Sequence, residues 1–175
     1  MTSAPPPVPG ETRDWSVVID HGCAECGWQP IELSDAPALL RASVERWRTA
    51  MSRPGASTRP DPAVWSPVEY ACHTRDMVRL LGERTQAMLD AGDPQFTDWD
   101  GDAKAVELAY WQADPTATAA DYATCADATI SVLDSVRAGQ WSRPGHRSDG
   151  MPFTVATLTQ YLMHEVEHHL HDVGA

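Results

Sequence analysis

The chain has 175 residues, of which 42% are hydrophobic and 22% charged, a composition typical of one globular domain with a buried core. Its 25 acidic residues outnumber its 13 lysines and arginines, giving a formal net charge of −12. This balance argues against nucleic acid as a partner, because a phosphate backbone selects clustered basic residues. No apolar segment approaches the roughly 18 to 20 residues of a membrane span, and the N-terminus lacks the pattern of a secretory signal. We therefore expect a cytoplasmic protein that acts on a small molecule.

The first 32 residues are predicted to form an extension to a main domain at residues 33–175. Residues 2–12 (TSAPPPVPGET) contain too many prolines for a helix and are expected to be extended or mobile. The run WSVVID at residues 15–20 is the strand candidate of the chain, since it is rich in β-branched residues.

Cys23 and Cys26 form a CxxC motif that is followed by Gly27. Four cysteines in a reducing compartment argue against a disulfide framework. Two thiolates can supply half of a tetrahedral metal site, and a redox pair or two packed thiols are the alternatives. A redox CxxC favours a βαβ unit, which does not follow here. The candidates for the second half of a metal site are His21, His146, Cys72 and Cys125.

Helical signals begin at Ser34 and Asp35, after which Leu40, Val44, Trp47 and Met51 recur at helical spacing. Residues 52–65 contain three prolines and a glycine and are predicted to be a long connection. The second helix has a clear start, with Ser66 at the N-cap, Pro67 at the first helical position and Glu69 completing a capping box. We expect this helix to continue to about residue 90.

A third helical region at residues 98–139 is predicted to be split at Pro115, because a proline disfavours helix in the residue before it. Residues 140–153 are predicted to be a loop, and Thr154 to cap the last helix. The buried stripe of that helix is expected to comprise Val155, Leu158, Leu162 and Val166. The sequence thus predicts an all-α, up-down four-helix bundle with one long crossover.

The segment YLMHEVEHHLHDV at residues 161–173 contains four histidines. His164 and His168 are four residues apart, so their rings share one helix face and can bind one ion. The HExxH spelling resembles a zincin motif, yet only seven residues follow His168, and the extended form of that motif has Gly where this chain has His171. A third ligand is therefore expected upstream. His73 is the best placed, because facing helices of a bundle surround a common centre.

The segments VWSPVEYACHTRDMVRLL and FTVATLTQYLMHEVEHHLHDV together resemble the DinB-like superfamily, which includes bacterial thiol transferases. The resemblance covers most of residues 35–173. It implies a four-helix bundle that holds a divalent metal, zinc or nickel, through three histidines at the positions of His73, His164 and His168. It also implies a low-molecular-weight thiol, mycothiol or bacillithiol, as co-substrate in those members that are S-transferases or isomerases.

Two acidic residues are candidates for proton transfer. Glu165 adjoins the first histidine of the pair, and Asp76 lies one turn past His73. Three neutral imidazoles would leave the full double charge of an ion to lower the pKa of a bound thiol or water. Each acid has the alternative of being a solvated helix residue.

Four further residues complete the list of site candidates. Asp172 is placed to hydrogen-bond the ring of His168 without binding the ion itself. His171 lies on the helix face of His164 and His168 and is an alternative ligand. Arg143 and Arg147 lie on the loop before the last helix, where they are candidates for binding a substrate carboxylate. Solvated side chains are the alternative for all four. Cys72 and Cys125 are expected to be small buried residues within helices.

Three functions remain open from the sequence. The first is a metal-dependent, thiol-dependent transferase or isomerase with a small-molecule substrate. The second is a non-catalytic module in which the ion ties two helices together. The third is a metal-dependent hydrolase that uses Glu165 to activate water. A homodimer is compatible with each of them.

Overall fold

The computed structural model describes residues 5–10, 13 and 15–175. The prediction for the proline-rich arm therefore falls partly outside the described residues, and residues 5–10 form neither helix nor strand. The strand expected at residues 15–20 is wrong. Trp15–Val17 is a 3-10 helix and Val18–His21 is a short helix, α1. A strand needs a neighbouring strand to be stable, and this segment packs instead against the last helix of the chain.

Four long helices form the bundle, and the predicted all-α four-helix fold is confirmed. They are α2 (Ala36–Met51), α3 (Pro67–Asp90), α5 (Pro115–Ser135) and α6 (Val155–Asp172). A short helix α4 (Gly101–Glu107) and a 3-10 turn (Tyr110–Gln112) lie between α3 and α5. Two more 3-10 turns are found at Leu33–Asp35 and Ala138–Gln140.

The predicted helix starts are confirmed by their hydrogen bonds. The carboxylate of Glu69 accepts from the backbone N–H of Ser66 at 2.9 Å and from its hydroxyl at 2.7 Å. Pro115 occupies the first position of α5, and Thr154 accepts from the backbone N–H of Thr157 at the start of α6. These caps satisfy N–H groups that a helix start otherwise leaves without partners.

The helices do not pack in the order of the chain. Helix α5 packs against α2 and α3, and α6 also packs against α2 and α3, whereas α2 and α3 have few contacts with each other. The long connection at residues 52–66 therefore crosses the bundle diagonally. As a consequence, one face of α6 meets α3, while α1 and the turn at Leu33–Asp35 cover another part of it.

The predicted loop before α6 contains a small antiparallel hairpin, formed by β1 (Pro144–His146) and β2 (Pro152–Thr154). Phe153 of β2 is buried, which places the start of α6 against the core. Along α6, Val155, Leu158, Leu162 and Val166 are all buried, as predicted. No helix within the described residues combines the length and the apolar character that crossing a bilayer requires.

Candidate metal centre

Helix α6 carries two pairs of polar side chains with identical spacing. His164 and His168 form one pair, and Glu165 and His169 form the next. Residues four apart share a helix face, and one residue rotates the direction by about 100°. The two pairs therefore point to two neighbouring parts of the protein, although His164 and Glu165 are both buried, with 1% and 7% exposure.

The pair Glu165 and His169 faces α3, where it meets His73. One donor atom from each of these three side chains lies within 4.8 Å of the other two. A carboxylate oxygen of Glu165 is 3.8 Å from Nε2 of His73 and 3.6 Å from Nε2 of His169. We call these three residues the His2Glu group.

The electrostatics of the His2Glu group favours a positive charge at its centre. Burial opposes ionisation of Glu165, but the surrounding rings of His164, His169 and His73 hold its pKa well below the ordinary value. Burial lowers the pKa of His169, yet its bonds to Asp172 and Glu165 raise it overall, to about 9. Burial lowers the pKa of His73. Without a metal ion, His169 is therefore protonated at neutral pH and pairs with the ionised Glu165. A metal ion bound to Nε2 of His169 would take the place of that proton.

Asp172 orients the ring of His169. Nδ1–H of His169 donates to a carboxylate oxygen of Asp172 at 2.9 Å. This bond leaves Nε2 directed toward Glu165, which is the usual way in which a second carboxylate fixes a metal-binding histidine. The sequence predicted that Asp172 would orient His168, whose Nε2 lies 3.9 Å from its carboxylate. The hydrogen bond is instead to His169, which was not among the predicted ligands.

The pair His164 and His168 faces the N-terminal extension and meets Cys23 and Cys26. One donor atom from each of these four residues lies within 4.8 Å of the others. Sγ of Cys23 is 3.6 Å from Nδ1 of His168. We call these four residues the Cys2His2 group, and it and the His2Glu group are the two such clusters among the described residues.

The thiols of the Cys2His2 group differ in their acidity. Burial raises the pKa of the Cys23 thiol, but the backbone N–H of Cys26 and the ring of His164 lower it below the ordinary value overall. Burial and the neighbouring Cys23 raise the pKa of Cys26 to about 11. All four cysteines of the chain are unpaired thiols.

Both groups contain buried nitrogens that suit metal coordination. Nδ1 of His73 and both ring nitrogens of His164 have no hydrogen-bond partner among the described residues. A buried polar atom without a partner is costly, and a metal ion would satisfy one of the two nitrogens of His164. In His73 the nitrogen that faces Glu165 is Nε2 and not the unpartnered Nδ1. Imidazole, carboxylate and thiolate are the ligands that zinc and related divalent ions take in proteins.

The structure divides the histidines that the sequence placed together. His164 and His168 are with the two cysteines, and His73 is with Glu165 and His169; His73, His164 and His168 do not form a cluster of their own among the described residues. The second half of the CxxC site likewise differs from the four candidates named from the sequence. His169 was missed, although its spacing from Glu165 equals that of His168 from His164.

A cavity of about 660 Å³ lies beside the His2Glu group. All three members of that group line it, and so do His164 and His168 of the Cys2His2 group. Trp65 and Trp99 flank His73, with ring centroids 5.3 Å and 5.6 Å from its own. The cavity wall also includes apolar residues of α3 and two arginines, Arg84 and Arg147. A space of this size accommodates a small organic molecule.

The remaining sequence candidates have other surroundings. Asp76 is buried and accepts from Tyr110 and Arg75, so it joins α3 to the turn before α5 and does not line the cavity. Arg143 donates to the carbonyl of Leu89 near the C-terminus of α3. Asp76 and Arg143 are therefore placed for structural roles.

Arg147 does line the cavity, where it pairs with Asp149 at 2.6 Å. His171 is exposed and belongs to neither group. Cys72 is buried near Thr118, as expected, whereas Cys125 is only half-buried within α5.

Comparisons with known proteins agree with this architecture. The sequence model of the DinB superfamily matches residues 24–173. The structure is similar to that of YfiT from Bacillus subtilis, described as a probable metal-dependent hydrolase with an unusual four-helix bundle topology; the TM-score is 0.72 and the identity 16%, over 81% of this chain and 85% of that one. At this identity the similarity supports the fold alone. No curated protein matches the sequence significantly.

Proposed function

Since the chain belongs to the DinB superfamily, we propose that it is a divalent-metal-dependent enzyme whose metal ligands are His73, Glu165 and His169. One observation carries the proposal: three donor atoms from two helices converge at the wall of a cavity large enough for a substrate. Three protein ligands leave a coordination position for an exchangeable ligand, which is the hallmark of a catalytic rather than a structural site. This ligand set replaces the three-histidine set expected from the sequence.

The ligand set is compatible with zinc, nickel and iron. When bound, such an ion supplies positive charge that lowers the pKa of a thiol or a water molecule in the cavity. Asp172 holds the ring of His169 in the tautomer that leaves Nε2 for a ligand role. Trp65 and Trp99 pack against the ring of His73, with centroids 5.3 Å and 5.6 Å away, and restrict its movement.

The reaction we favour is transfer of a low-molecular-weight thiol to an electrophilic small molecule. The thiol gives up its proton to solvent, its sulfur forms a bond to an electrophilic carbon, and the bond from that carbon to the leaving group breaks with its electron pair. The cavity is lined by apolar side chains, by the cations Arg84 and Arg147 and by several acidic residues, which suits a substrate with an apolar body and polar groups. Of the two arginines predicted as candidates for binding a substrate carboxylate, Arg147 is the one at the cavity wall, where it pairs with Asp149.

Hydrolysis is the second candidate, favoured by the description of the structurally similar YfiT as a probable metal-dependent hydrolase. Water would then take the place of the thiol. In both reactions Glu165 is a metal ligand, and not the free general base considered from the sequence. Its oxygens lie 3.6 to 3.8 Å from ring nitrogens of three histidines.

The proposal is tested by loss of thiol. Metal-loaded protein is incubated with mycothiol or bacillithiol and a panel of alkyl halides and epoxides, and free thiol is followed with a chromogenic disulfide. We expect metal-dependent consumption that His73→Ala and His169→Ala abolish. His171→Ala is the matched control, because His171 lies on the same helix but is exposed. Product formation without thiol loss would favour the hydrolase, and wild-type turnover in the absence of metal would overturn the proposal.

A further inference from the structure

We propose that Cys23, Cys26, His164 and His168 form a second metal site, a closed tetrahedral zinc site that fastens the N-terminal extension to helix α6. The site is separate from the proposed catalytic centre in ligands and in role. It also gives a function to the CxxC motif, which the proposed reaction does not use.

The chain around the cysteines is shaped as a metal-binding turn. The backbone N–H of Gly27 donates to the carbonyl of Cys23 at 2.9 Å, and the N–H of Cys23 donates to the carbonyl of Trp28 at 2.8 Å. These bonds close a tight loop that brings the two thiols together. Gly27 has φ of +75°, a left-handed conformation that side chains other than glycine rarely adopt.

A second glycine allows the loop to fold back on itself. Gly22 has φ of +72°, and a Cβ at this position would lie 2.7 Å from the carbonyl oxygen of Trp28. A side chain at residue 22 would therefore push the two ends of the loop apart. The two glycines and the two cysteines together specify a loop whose thiols point to one place.

The histidine pair completes a tetrahedral set of donors. With Zn–S of about 2.3 Å and Zn–N of about 2.0 to 2.1 Å, a tetrahedral angle separates sulfur and nitrogen by about 3.6 Å. The distance from Sγ of Cys23 to Nδ1 of His168 is 3.6 Å. Both ring nitrogens of His164 are buried and form no hydrogen bond of ordinary geometry among the described residues, so one of them is free to bind the ion.

The surroundings make this a closed site. The ring of Trp15 lies 5.4 Å from that of His164 and 4.8 Å from that of His168, and Trp28 meets His164 edge-on at 5.5 Å. Cys23 is only 3% exposed. His164 and His168 reach the wall of the large cavity, but neither cysteine is among the described residues that line it. Four protein donors leave no position for a substrate, which is the arrangement of structural zinc sites.

The position of the site explains how it would support the catalytic centre. It holds residues 15–28 against α6, and Trp15 of this segment is also part of the cavity wall. His164 precedes Glu165 directly, with Nδ1 of His164 at 3.7 Å from Oε1 of Glu165. Zinc at the Cys2His2 group therefore fixes the stretch of α6 that carries two of the three catalytic ligands.

The first test uses the unaltered protein. X-ray absorption at the zinc edge of zinc-loaded wild-type protein should show sulfur scatterers at about 2.3 Å together with nitrogen scatterers. Cobalt substitution should produce the thiolate-to-cobalt charge-transfer absorption of a tetrahedral site. A zinc shell made only of nitrogen and oxygen would overturn the proposal, and so would isolation of a Cys23–Cys26 disulfide from protein purified without oxidant.

The second test separates the two sites. Wild-type protein should hold about two zinc ions per chain, and the Cys23→Ser/Cys26→Ser variant about one, with loss of the cobalt–thiolate band. His73→Ala should keep that band, whereas Cys125→Ser, which removes a thiol outside the site, should change neither measurement. A band that disappears in His73→Ala but persists in the double variant would overturn the assignment. Failure of the thiol-transfer assay with these metal contents intact would reject the proposed function alone.

Discussion

The Cys2His2 group and the His2Glu group are one residue apart on α6. They differ in the number of their donor atoms, in the kind of those atoms and in their position relative to the cavity. The first has four donors, two of them cysteine sulfurs. Its histidines reach the cavity wall and contact Trp15 and Trp28, whereas its cysteines do not line the cavity. The second has three donors and opens to a cavity of about 660 Å³. The comparison shows that neighbouring, equally spaced pairs on one helix meet different partners when different elements cover the two faces. On our proposals, one pair would then serve a structural site and the other a catalytic site.

The largest expected difference between the groups is in stability. Cys26→Ser should lower the free energy of unfolding of the zinc-loaded protein by more than about 4 kcal/mol, because loss of a structural metal releases a whole segment of the chain. His73→Ala should cost less, about 1 to 2 kcal/mol, since α3 remains packed through its apolar face. Urea unfolding followed by circular dichroism measures both. Equal losses in the two variants would remove the distinction between a structural and an open site.

The next prediction concerns catalysis. Glu165→Gln should reduce metal-dependent turnover on the order of 100-fold or more, since loss of even an outer carboxylate partner costs about 10- to 100-fold and Glu165 is itself a ligand. The zinc–sulfur signal of the Cys2His2 group should remain. Steady-state kinetics and X-ray absorption on the same sample check both statements. Full activity in this variant would exclude Glu165 from the centre.

A smaller effect is expected from Asp172→Asn. The carboxylate of Asp172 hydrogen-bonds His169 at 2.9 Å but lies 3.9 Å from His168. The variant should weaken metal binding at the His2Glu group by about 10- to 100-fold and leave the Cys2His2 group nearly unchanged. Competition with a metal-sensitive dye resolves the two affinities, and Glu167→Gln, on the same helix, is the control. Equal weakening at both groups would contradict the orienting role assigned to Asp172.

The smallest effect is expected at Glu69, at the start of α3. Of the proposed metal ligands, this helix carries only His73. Burial disfavours the charge on Glu69, but its bonds to Arg59 lower its pKa below the ordinary 4.5 overall. The ionised form therefore stabilises the fold above about pH 4.5, and this stabilisation is lost as the pH falls through the lowered pKa. Glu69→Gln should cost about 1 to 3 kcal/mol at pH 7 and reduce the loss of stability on acidification, as urea unfolding at several pH values would show. An unchanged pH dependence would count against this assignment.

The helices and their caps were predictable because their signals are local. Ser66, Pro67 and Glu69 lie within one helical turn, and the structure confirms both the capping contacts and the end of α3 at Asp90. The run at residues 15–20 shows where local preference fails. Its β-branched residues suit a strand, but burial of Val18 in a segment packed against α6 gave a helix instead.

The site was predictable only in part, for a geometric reason. Local patterns are enough to specify a histidine-rich last helix, a CxxC turn and a histidine on a well-capped second helix, because each depends on residues a few positions apart. Which of these side chains meet depends on the rotation of α6 against its neighbours. The pairs 164/168 and 165/169 have the same spacing and differ by about 100° in direction, so only the packing of α3 on one face and of the N-terminal extension on another decides which donors can share an ion.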